Sequence, residues 1–224
     1  MTGAATSPLS DLLIGRIRAT GPITLADYME CCLLHPEHGY YTSRDPFGRA
    51  GDFITAPEIS QMFGELIGLW LAQCWLDQGR PDPFCLAEIG PGRGTLMADI
   101  LRAIRSVPGM QAAARVCLIE ASPLLQSRQH QTLPDQKVQW CARPEDLPAA
   151  PLFLVANEFF DALPICQFQR REEGWAERLV GVDNGALQPI WGAPGPVAAL
   201  QQRLADTEPG DIVEFCPALP TIAS

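Results

Sequence analysis

The chain has 224 residues, of which 47% are hydrophobic and 19% are charged, and its formal net charge is −10. This length and apolar content support one domain, or one with a small addition, while the negative charge argues against binding to nucleic-acid phosphates and favours a basic partner. No apolar run reaches the ~18 residues of a membrane helix, and no signal or transit peptide is recognisable, so we expect a cytoplasmic protein.

The N-terminal part is predicted to contain two helices and a long loop. Residues 1–10 are expected to be disordered, whereas residues 11–19 and 24–34 have helical periodicity, with Thr24 as a plausible N-cap. Residues 35–60 are rich in proline, glycine and aromatic side chains and are predicted to form an ordered loop. A loop of this length is usually functional. The alternative is a clamp that only packs on the sheet.

A glycine-rich turn follows in the middle of the chain. A helix with a wide apolar face is predicted at residues 60–79, a buried strand at 84–88 and a second helix at 95–105. The turn between this strand and the second helix can approach a ligand closely, because glycine has no Cβ and helix N-terminal N–H groups point at the turn. The predicted cofactor-binding residues of this segment are Glu88, Gly90, Gly92, Gly94 and Thr95.

The spacing of these glycines indicates the kind of ligand. The dinucleotide fingerprint is G-x-G-x-x-G. Here the third glycine, Gly94, comes one residue early, which gives E-x-G-x-G-x-G. This form occurs in methyltransferases that use S-adenosylmethionine (SAM), where no pyrophosphate is bound. We therefore predict SAM as the cofactor. A dinucleotide-dependent oxidoreductase and a turn without a ligand remain as alternatives.

The next predicted strand, at residues 116–120, ends in a carboxylate. In doubly wound folds an acid at this position accepts hydrogen bonds from the ribose hydroxyls. Glu120 is predicted to have this role, although it lies farther from the loop than the usual ~20 residues. A helix at residues 123–130 should follow, with Ser122 as its N-cap. The alternative for Glu120 is a solvated carboxylate at a strand end.

Three polar residues lie at the tip of the strand predicted at 152–156. Ligands bind at the carboxyl ends of strands in open α/β sheets, so Asn157, Glu158 and Asp161 are candidates for the catalytic face. A carboxylate can hold and orient a guanidinium group through paired hydrogen bonds. We rank Glu158 first and Asp161 second. The alternative is a capped turn with aromatic packing.

The alternation of strands and helices predicts an α/β fold with a parallel, Rossmann-like sheet and flanking helices. We expect three parts: an N-terminal helical extension with the long loop (residues 1–80), a SAM-binding core (81–164) and an antiparallel meander on the substrate side (165–224). A short strand is also expected near residues 138–140. The eight cysteines form no C-x-x-C pair and the three histidines are badly spaced, so reduced thiols and no metal site are expected.

Five blocks between Gly21 and Pro164 resemble the MidA-like methyltransferases: GPITLADYMECCLLHPEHGYY, GDFITAPEISQMFGELIGLW, EIGPGRGTLMADILR, LIEASPLLQSRQ and ANEFFDALP. This family includes the mitochondrial complex I assembly enzyme that symmetrically dimethylates an arginine. The resemblance implies a class I SAM-dependent fold and a protein substrate that presents an arginine. It also implies a location in the mitochondrial matrix for a eukaryotic protein. It places SAM contacts at Gly90, Gly92, Gly94 and Glu120, a catalytic-face role at Asn157 and Glu158, and pocket closure at Thr55, Pro57, Glu58 and Ser60.

The chain departs from this family at its C-terminal end. Members continue past the block that resembles GDIVEFCP with a helix and a further central strand, whereas this chain stops at TIAS. We therefore expect the last strands to be missing and strand 152–156 to form an apolar sheet edge without a partner. This departure keeps two alternatives to an active enzyme open: a non-catalytic SAM-binding assembly factor and an inactive fragment.

Overall fold

The computed structural model describes residues 7–43 and 55–222. The helices are α1 (Pro8–Thr20), α2 (Leu25–Leu34), α3 (Tyr40–Ser43), α4 (Ala56–Ile59), α5 (Gln61–Asp77), α6 (Thr95–Ile104), α7 (Met110–Ala113), α8 (Pro123–Thr132) and α9 (Leu219–Ile222). The strands are β1 (Ile23–Thr24), β2 (Phe84–Ile89), β3 (Ala114–Ile119), β4 (Val138–Cys141), β5 (Leu152–Ala156), β6 (Cys166–Arg171), β7 (Gly174–Asp183), β8 (Ala186–Trp191) and β9 (Ile212–Phe215). Short 3₁₀ helices lie at Pro144–Asp146, Phe160–Ala162 and Ala198–Ala205.

The N-terminal helices follow the predicted pattern with one correction. Helix α1 begins at Pro8, where Ser7 accepts the N–H of Ser10 at 3.2 Å, so the expectation of disorder is wrong for residues 8–10. Residues 1–6 lie outside the described residues. The predicted N-cap of α2 is confirmed, because the Thr24 hydroxyl accepts the N–H of Asp27 at 3.0 Å.

The predicted loop at residues 35–60 contains two short helices. Helix α3 lies near its start and helix α4 near its end, while residues 44–54 are outside the described part of the chain. The chain after α4 turns directly into α5, since Ser60 is the C-cap of the first helix and the N-cap of the second. The described ends of this loop are therefore regular structure.

The chain divides into two compact units. Residues 44–161 form the parallel unit, and residues 1–43 together with 162–224 form the antiparallel unit. Helix α5 groups with the parallel unit, whereas α1 and α2 group with the later strands. The three-part division at residues 80 and 164 stays a prediction.

The parallel unit is built on a four-stranded sheet in the order β4-β3-β2-β5 with every pair parallel. This confirms the predicted α/β fold. Ile89 is level with Ile119 on one side and with Ala156 on the other, so β2, β3 and β5 end together. Within residues 7–43 and 55–222, the second edge of β5 has no strand partner.

Helices α5 and α6 cover one face of this sheet. Phe84 and Leu86 of β2 point into a core that these helices share, and both are fully buried. The two helices can approach closely because Gly64 and Gly68 of α5 have no side chains. A Cβ on Gly64 would lie only 2.5 Å from the Cβ of Asp99, and one on Gly68 only 2.8 Å from the Cβ of Ala103. The other face of α5 is apolar but exposed at Met62, Leu66, Leu69 and Trp70.

The antiparallel unit is centred on β7. It pairs with β6 and β8, which confirms the predicted meander, and also with the two-residue strand β1, while β9 pairs with β6. Neither β1 nor β9 is predicted from the sequence, since two and four residues are too short for a periodic signal. None of the described helices has both the length and the apolar character that a bilayer crossing requires.

Candidate functional site

The predicted site residues of three strands lie at one edge of the parallel sheet. Gly90 follows β2, Glu120 follows β3 and Asn157 follows β5, and these strands end at the same level. Two further hydrogen bonds continue the sheet at this edge: Gly90 N–H donates to Ile119 O at 3.1 Å, and Glu120 N–H donates to Cys141 O at 3.1 Å. The strand ends thus place the candidate cofactor and catalytic residues side by side.

All three glycines of the loop have positive φ: +66° at Gly90, +52° at Gly92 and +81° at Gly94. Protein packing also requires Gly90 to lack a side chain, whereas a Cβ on Gly94 would make only an ordinary van der Waals contact. A Cβ on Gly90 would lie 2.5 Å from the ring of Phe159, and one on Gly94 would lie 3.4 Å from Cγ of Gln129. The glycine pattern therefore serves close packing as well as the approach of a ligand, which the sequence interpretation did not anticipate.

Glu88 of β2, two residues before Gly90, has a carboxyl group whose pKa is strongly raised. Glu88 is 2% exposed, and its carboxyl group accepts a hydrogen bond from the backbone N–H of Met97 in the first turn of α6. Its Oε2 is buried and has no partner among the described residues. Burial raises the pKa of Glu88 to about 8, against the smaller lowering effect of the Met97 N–H. A buried carboxyl oxygen without a partner is well suited to a positively charged or hydrogen-bonding ligand group.

Glu120 is held in place by both of its carboxylate oxygens. Oε1 accepts the N–H of Ser122 at 2.8 Å, and Oε2 accepts Nε2 of Gln129 at 3.2 Å. Burial raises the pKa of Glu120, while these donors and the N–H of Ala121 lower it. Because an ionised carboxylate has about four lone-pair positions, Glu120 retains acceptor capacity for ribose hydroxyls.

Gln129 of α8 is a site residue that the sequence interpretation missed. It is fully buried, and its side chain contacts the glycine loop, Glu120 and Trp140. A signal was available in the sequence, because Gln129 lies four residues after Leu125 and four before Leu133, on the same face of the predicted helix. The structure buries this face. A polar side chain on the buried face of a helix indicates a specific polar partner.

A side-chain hydrogen bond joins the segment at residues 55–60 to the start of α6, directly after the glycine loop. The hydroxyl of Thr95, the first residue of α6, donates to Oε1 of Glu58 at 2.6 Å. Pro57 is buried, whereas Thr55 and Ser60 are helix caps whose side chains make no capping hydrogen bond. Of the four residues predicted to close the pocket, Glu58 is thus the one with a side-chain hydrogen bond to the start of α6.

The tip of β5 is more open. Glu158 is exposed and has a φ of +50°, which is uncommon for a residue with a side chain, and Asp161 is exposed in a 3₁₀ turn. Asn157 is half-buried. Phe159 lies against Gly90 and makes an edge contact with Phe160, with ring centroids 5.5 Å apart. The aromatic pair thus holds the tip, and the carboxylates point outward from it.

These residues fit the polar groups of SAM. The unpartnered oxygen of Glu88 suits an ammonium group, the loop N–H groups suit a carboxylate, and Glu120 suits ribose hydroxyls. In the described part of the chain, no group of three or more His, Cys, Asp or Glu side chains is arranged to bind a metal ion. The eight cysteines are all free thiols.

Comparison with known proteins gives a consistent result. A family described as "Putative S-adenosyl-L-methionine-dependent methyltransferase" matches residues 66–224. Protein arginine methyltransferase NDUFAF7 of Xenopus tropicalis is 36% identical over 236 aligned positions, which include 94% of this chain. The Drosophila melanogaster homologue is 42% identical over 196 positions, which include 78% of this chain.

A solved structure shows the same architecture. It is a COG1565 superfamily member from Burkholderia thailandensis with S-adenosyl-homocysteine bound, and it matches 96% of this chain with a TM-score of 0.76 and 29% identity. The chain spans about half the length of the curated relatives, 55% of the Xenopus and 45% of the Drosophila protein, and 59% of the solved chain.

Proposed function

The chain belongs to this family of SAM-dependent methyltransferases, and we propose that it transfers the methyl group of SAM to an arginine nitrogen of a protein substrate. The observation that carries the proposal is the buried Glu88 carboxyl, which has a free oxygen beside a glycine loop level with Glu120. The names of the relatives support the arginine specificity, and the S-adenosyl-homocysteine bound to the Burkholderia protein supports the cofactor.

The cofactor side of the proposed site consists of the loop and two acids. Backbone N–H groups of the loop Gly90–Gly94 and of the first turn of α6 would bind the carboxylate of the cofactor, since a helix N-terminus attracts negative charge. Glu88 would bind its ammonium group and Glu120 its ribose hydroxyls. When bound, the cofactor supplies a methyl group on a positively charged sulfur. The residues of the chain orient and desolvate both reactants, which accounts for much of the rate in such a displacement.

The substrate side of the proposed site is the tip of β5. Glu158, with Asp161 second, would accept hydrogen bonds from the guanidinium N–H groups and fix its plane. The carboxylate of Glu158 would also take the proton that the methylated nitrogen gives up. Asn157, one residue after β5, would hold the substrate nitrogen at the sheet edge through its amide oxygen. The net charge of −10 suits a basic substrate segment.

The segment from Thr55 to Ser60 is proposed to close the pocket over the cofactor. The Glu58–Thr95 hydrogen bond supports this role, because it joins the segment to the start of the helix that follows the glycine loop. In a bacterium we expect the protein in the cytoplasm, and in a eukaryote in the mitochondrial matrix. The name of the Xenopus relative includes the word mitochondrial, which supports the organelle in the eukaryotic case.

Calorimetry with S-adenosyl-homocysteine tests the cofactor site. The native chain should bind it and should not bind NAD, whereas Gly92→Val should abolish binding because a branched side chain is poorly tolerated at a φ of +52°. Unchanged affinity in Gly92→Val would exclude the loop as the site. Binding of NAD in place of S-adenosyl-homocysteine would favour an oxidoreductase.

Transfer of labelled methyl groups tests the reaction. The native chain should label arginine in proteins of a cell extract, and Glu158→Gln should retain cofactor affinity but lose transfer. A native chain that binds the cofactor and labels no protein would support the non-catalytic alternative. Loss of affinity, transfer and melting temperature together in Glu158→Gln would assign a structural role to this residue.

A further inference from the structure

We propose that Gln129 is a positioning residue for the cofactor, which fixes the glycine loop and the ribose-binding carboxylate relative to each other. The inference rests on the proposed function, because it gives Glu120 and the loop their cofactor roles. The observations behind it are the contacts of the buried side-chain amide of Gln129. Gln129 lies in α8, outside the strand ends and the loop that form the rest of the site.

The amide group of Gln129 is fully used by the protein. Its Nε2 donates to the carbonyl oxygen of Gly92 at 2.8 Å and to Oε2 of Glu120 at 3.2 Å. An amide nitrogen carries two hydrogens, so each of these acceptors can receive one. The side chain is 0% exposed, and water therefore cannot replace either bond.

Trp140 of β4 determines which way this amide points. Its indole Nε1 donates to Oε1 of Gln129 at 2.9 Å. Because an indole nitrogen can only donate, the amide oxygen must face Trp140 and the NH₂ group must face the loop. The reversed orientation would place an oxygen against the Gly92 carbonyl and the Glu120 carboxylate, and both contacts would be repulsive.

The apolar part of the same side chain lies beside Gly94 of the loop. The position that a Cβ on Gly94 would take lies 3.4 Å from Cγ of Gln129, so the side chain of Gln129 lies directly beside this glycine. The polar and apolar contacts together hold Gly92, Gly94 and Glu120 in one arrangement. The two halves of the cofactor site, which come from different strands, therefore share a common support.

Gln129→Met tests this role, because methionine has a similar length and no amide. We expect the Kd for S-adenosyl-homocysteine to rise at least about tenfold, since hydrogen bonds to charged groups are the stronger ones. We also expect the pKa of the Glu120 carboxyl, followed by ¹³C NMR without ligand, to rise further, because a donor to its charged form is lost. The Glu120 resonance is assigned from its absence in Glu120→Gln.

Leu133→Ala is the matched control. Leu133 lies at the C-terminal end of α8 and is buried in the core shared with α5 and α6, so its truncation lowers the melting temperature through a cavity. It should change neither the pKa of Glu120 nor the Kd beyond about twofold. Equal effects of Leu133→Ala and Gln129→Met on both quantities would overturn the proposal.

Trp140→Phe provides a second variant if Gln129→Met does not fold. It removes the donor that orients the amide. The Kd for S-adenosyl-homocysteine and the pKa of Glu120 should both rise, by less than in Gln129→Met. An unchanged Kd and an unchanged pKa of Glu120 in a folded variant would overturn the inference while leaving the proposed function intact. If the native chain binds no S-adenosyl-homocysteine, the proposed function fails, and the Glu120 titration still decides whether Gln129 controls this carboxyl.

Discussion

The glycine loop and the tip of β5 lie at the same edge of one sheet but are held very differently. Around the loop, Glu88 and Glu120 have strongly reduced contact with water, and their pKa values are raised. At the tip, Glu158 and Asp161 are exposed, and neither makes a side-chain hydrogen bond or ion pair with another described residue. The cofactor side is therefore part of the folded core, whereas the side proposed for the substrate is a surface.

This difference has a physical consequence for mutagenesis. Residues of the loop should affect stability and ligand binding together, because the same contacts serve both. Residues of the tip should affect the reaction without affecting stability. Phe159 is the exception, since its ring packs on Gly90 and links the two regions.

The largest expected effect on stability comes from adding a methyl group at Gly90, where the loop contacts Phe159. Gly90→Ala should lower the free energy of unfolding by about 2–4 kcal/mol, from the left-handed φ and from a Cβ 2.5 Å from the Phe159 ring. Urea unfolding measures this loss. Gly15→Ala in α1 is the control, because its Cβ meets nothing within 4 Å, and it should be neutral or slightly stabilising. Recovery of stability in Gly90→Ala/Phe159→Ala would confirm the link, and an additive loss would contradict it.

The buried acid should give the next largest effect, as a dependence on pH. The pKa of Glu88 is about 8 in the folded state against 4.5 in the unfolded chain, so the folded state binds the extra proton between these values and stability falls as pH rises. Between pH 5.5 and 7.5 the native chain should lose about 2–3 kcal/mol more than Glu88→Gln. Urea unfolding at both pH values tests this. The exposed Glu172→Gln should behave as the native chain, and equal slopes in all three proteins would rule out a buried proton on Glu88.

A smaller effect is expected from the bond that joins residues 55–60 to the start of α6. In a double-mutant cycle, Glu58→Ala and Thr95→Val should show a coupling of about 1–2 kcal/mol, because each removes the same charge-assisted hydrogen bond. Thermal or urea unfolding supplies the four stabilities. Glu65→Ala with Thr95→Val is the control cycle, since Glu65 bonds to Gln61 and Arg102 instead, and its coupling should be near zero. Equal coupling in both cycles would show a general effect of lost acidic charge.

The smallest effect on stability is expected at the tip of β5. Glu158→Gln should change the free energy of unfolding by less than about 0.5 kcal/mol, because the side chain is exposed and the backbone is unchanged. Differential scanning calorimetry is a sufficient measurement. A loss of more than about 1 kcal/mol would mean that the tip is part of the core and would remove the contrast between the two regions.

Local patterns in the sequence were enough to predict the long helices and the core strands of the parallel unit. The alternation of apolar strands and periodic helices gave β2, β3, β5, α5, α6 and α8 within a few residues, and the glycine spacing indicated the cofactor class. The positions of Glu88 and Glu120 followed from the same patterns, because residues at the end of, or directly after, a parallel strand lie near the carboxyl edge of the sheet; Glu88 is the second-last residue of β2 and Glu120 follows β3. Glu158 and Asp161 were placed at that edge by the same reasoning, and their roles remain proposals.

The contacts that join these parts were decided only by the tertiary structure. Gln129 contacts Gly92, and Thr95 contacts Glu58, in each case across 37 residues of chain. Phe159 reaches Gly90 because two non-consecutive strands, β5 and β2, are neighbours in the sheet. Local periodicity reports which face of an element is buried, but the partner on that face depends on the path of the whole chain. The sequence thus determined where the site residues lie, and the packing of distant segments determined how they are held.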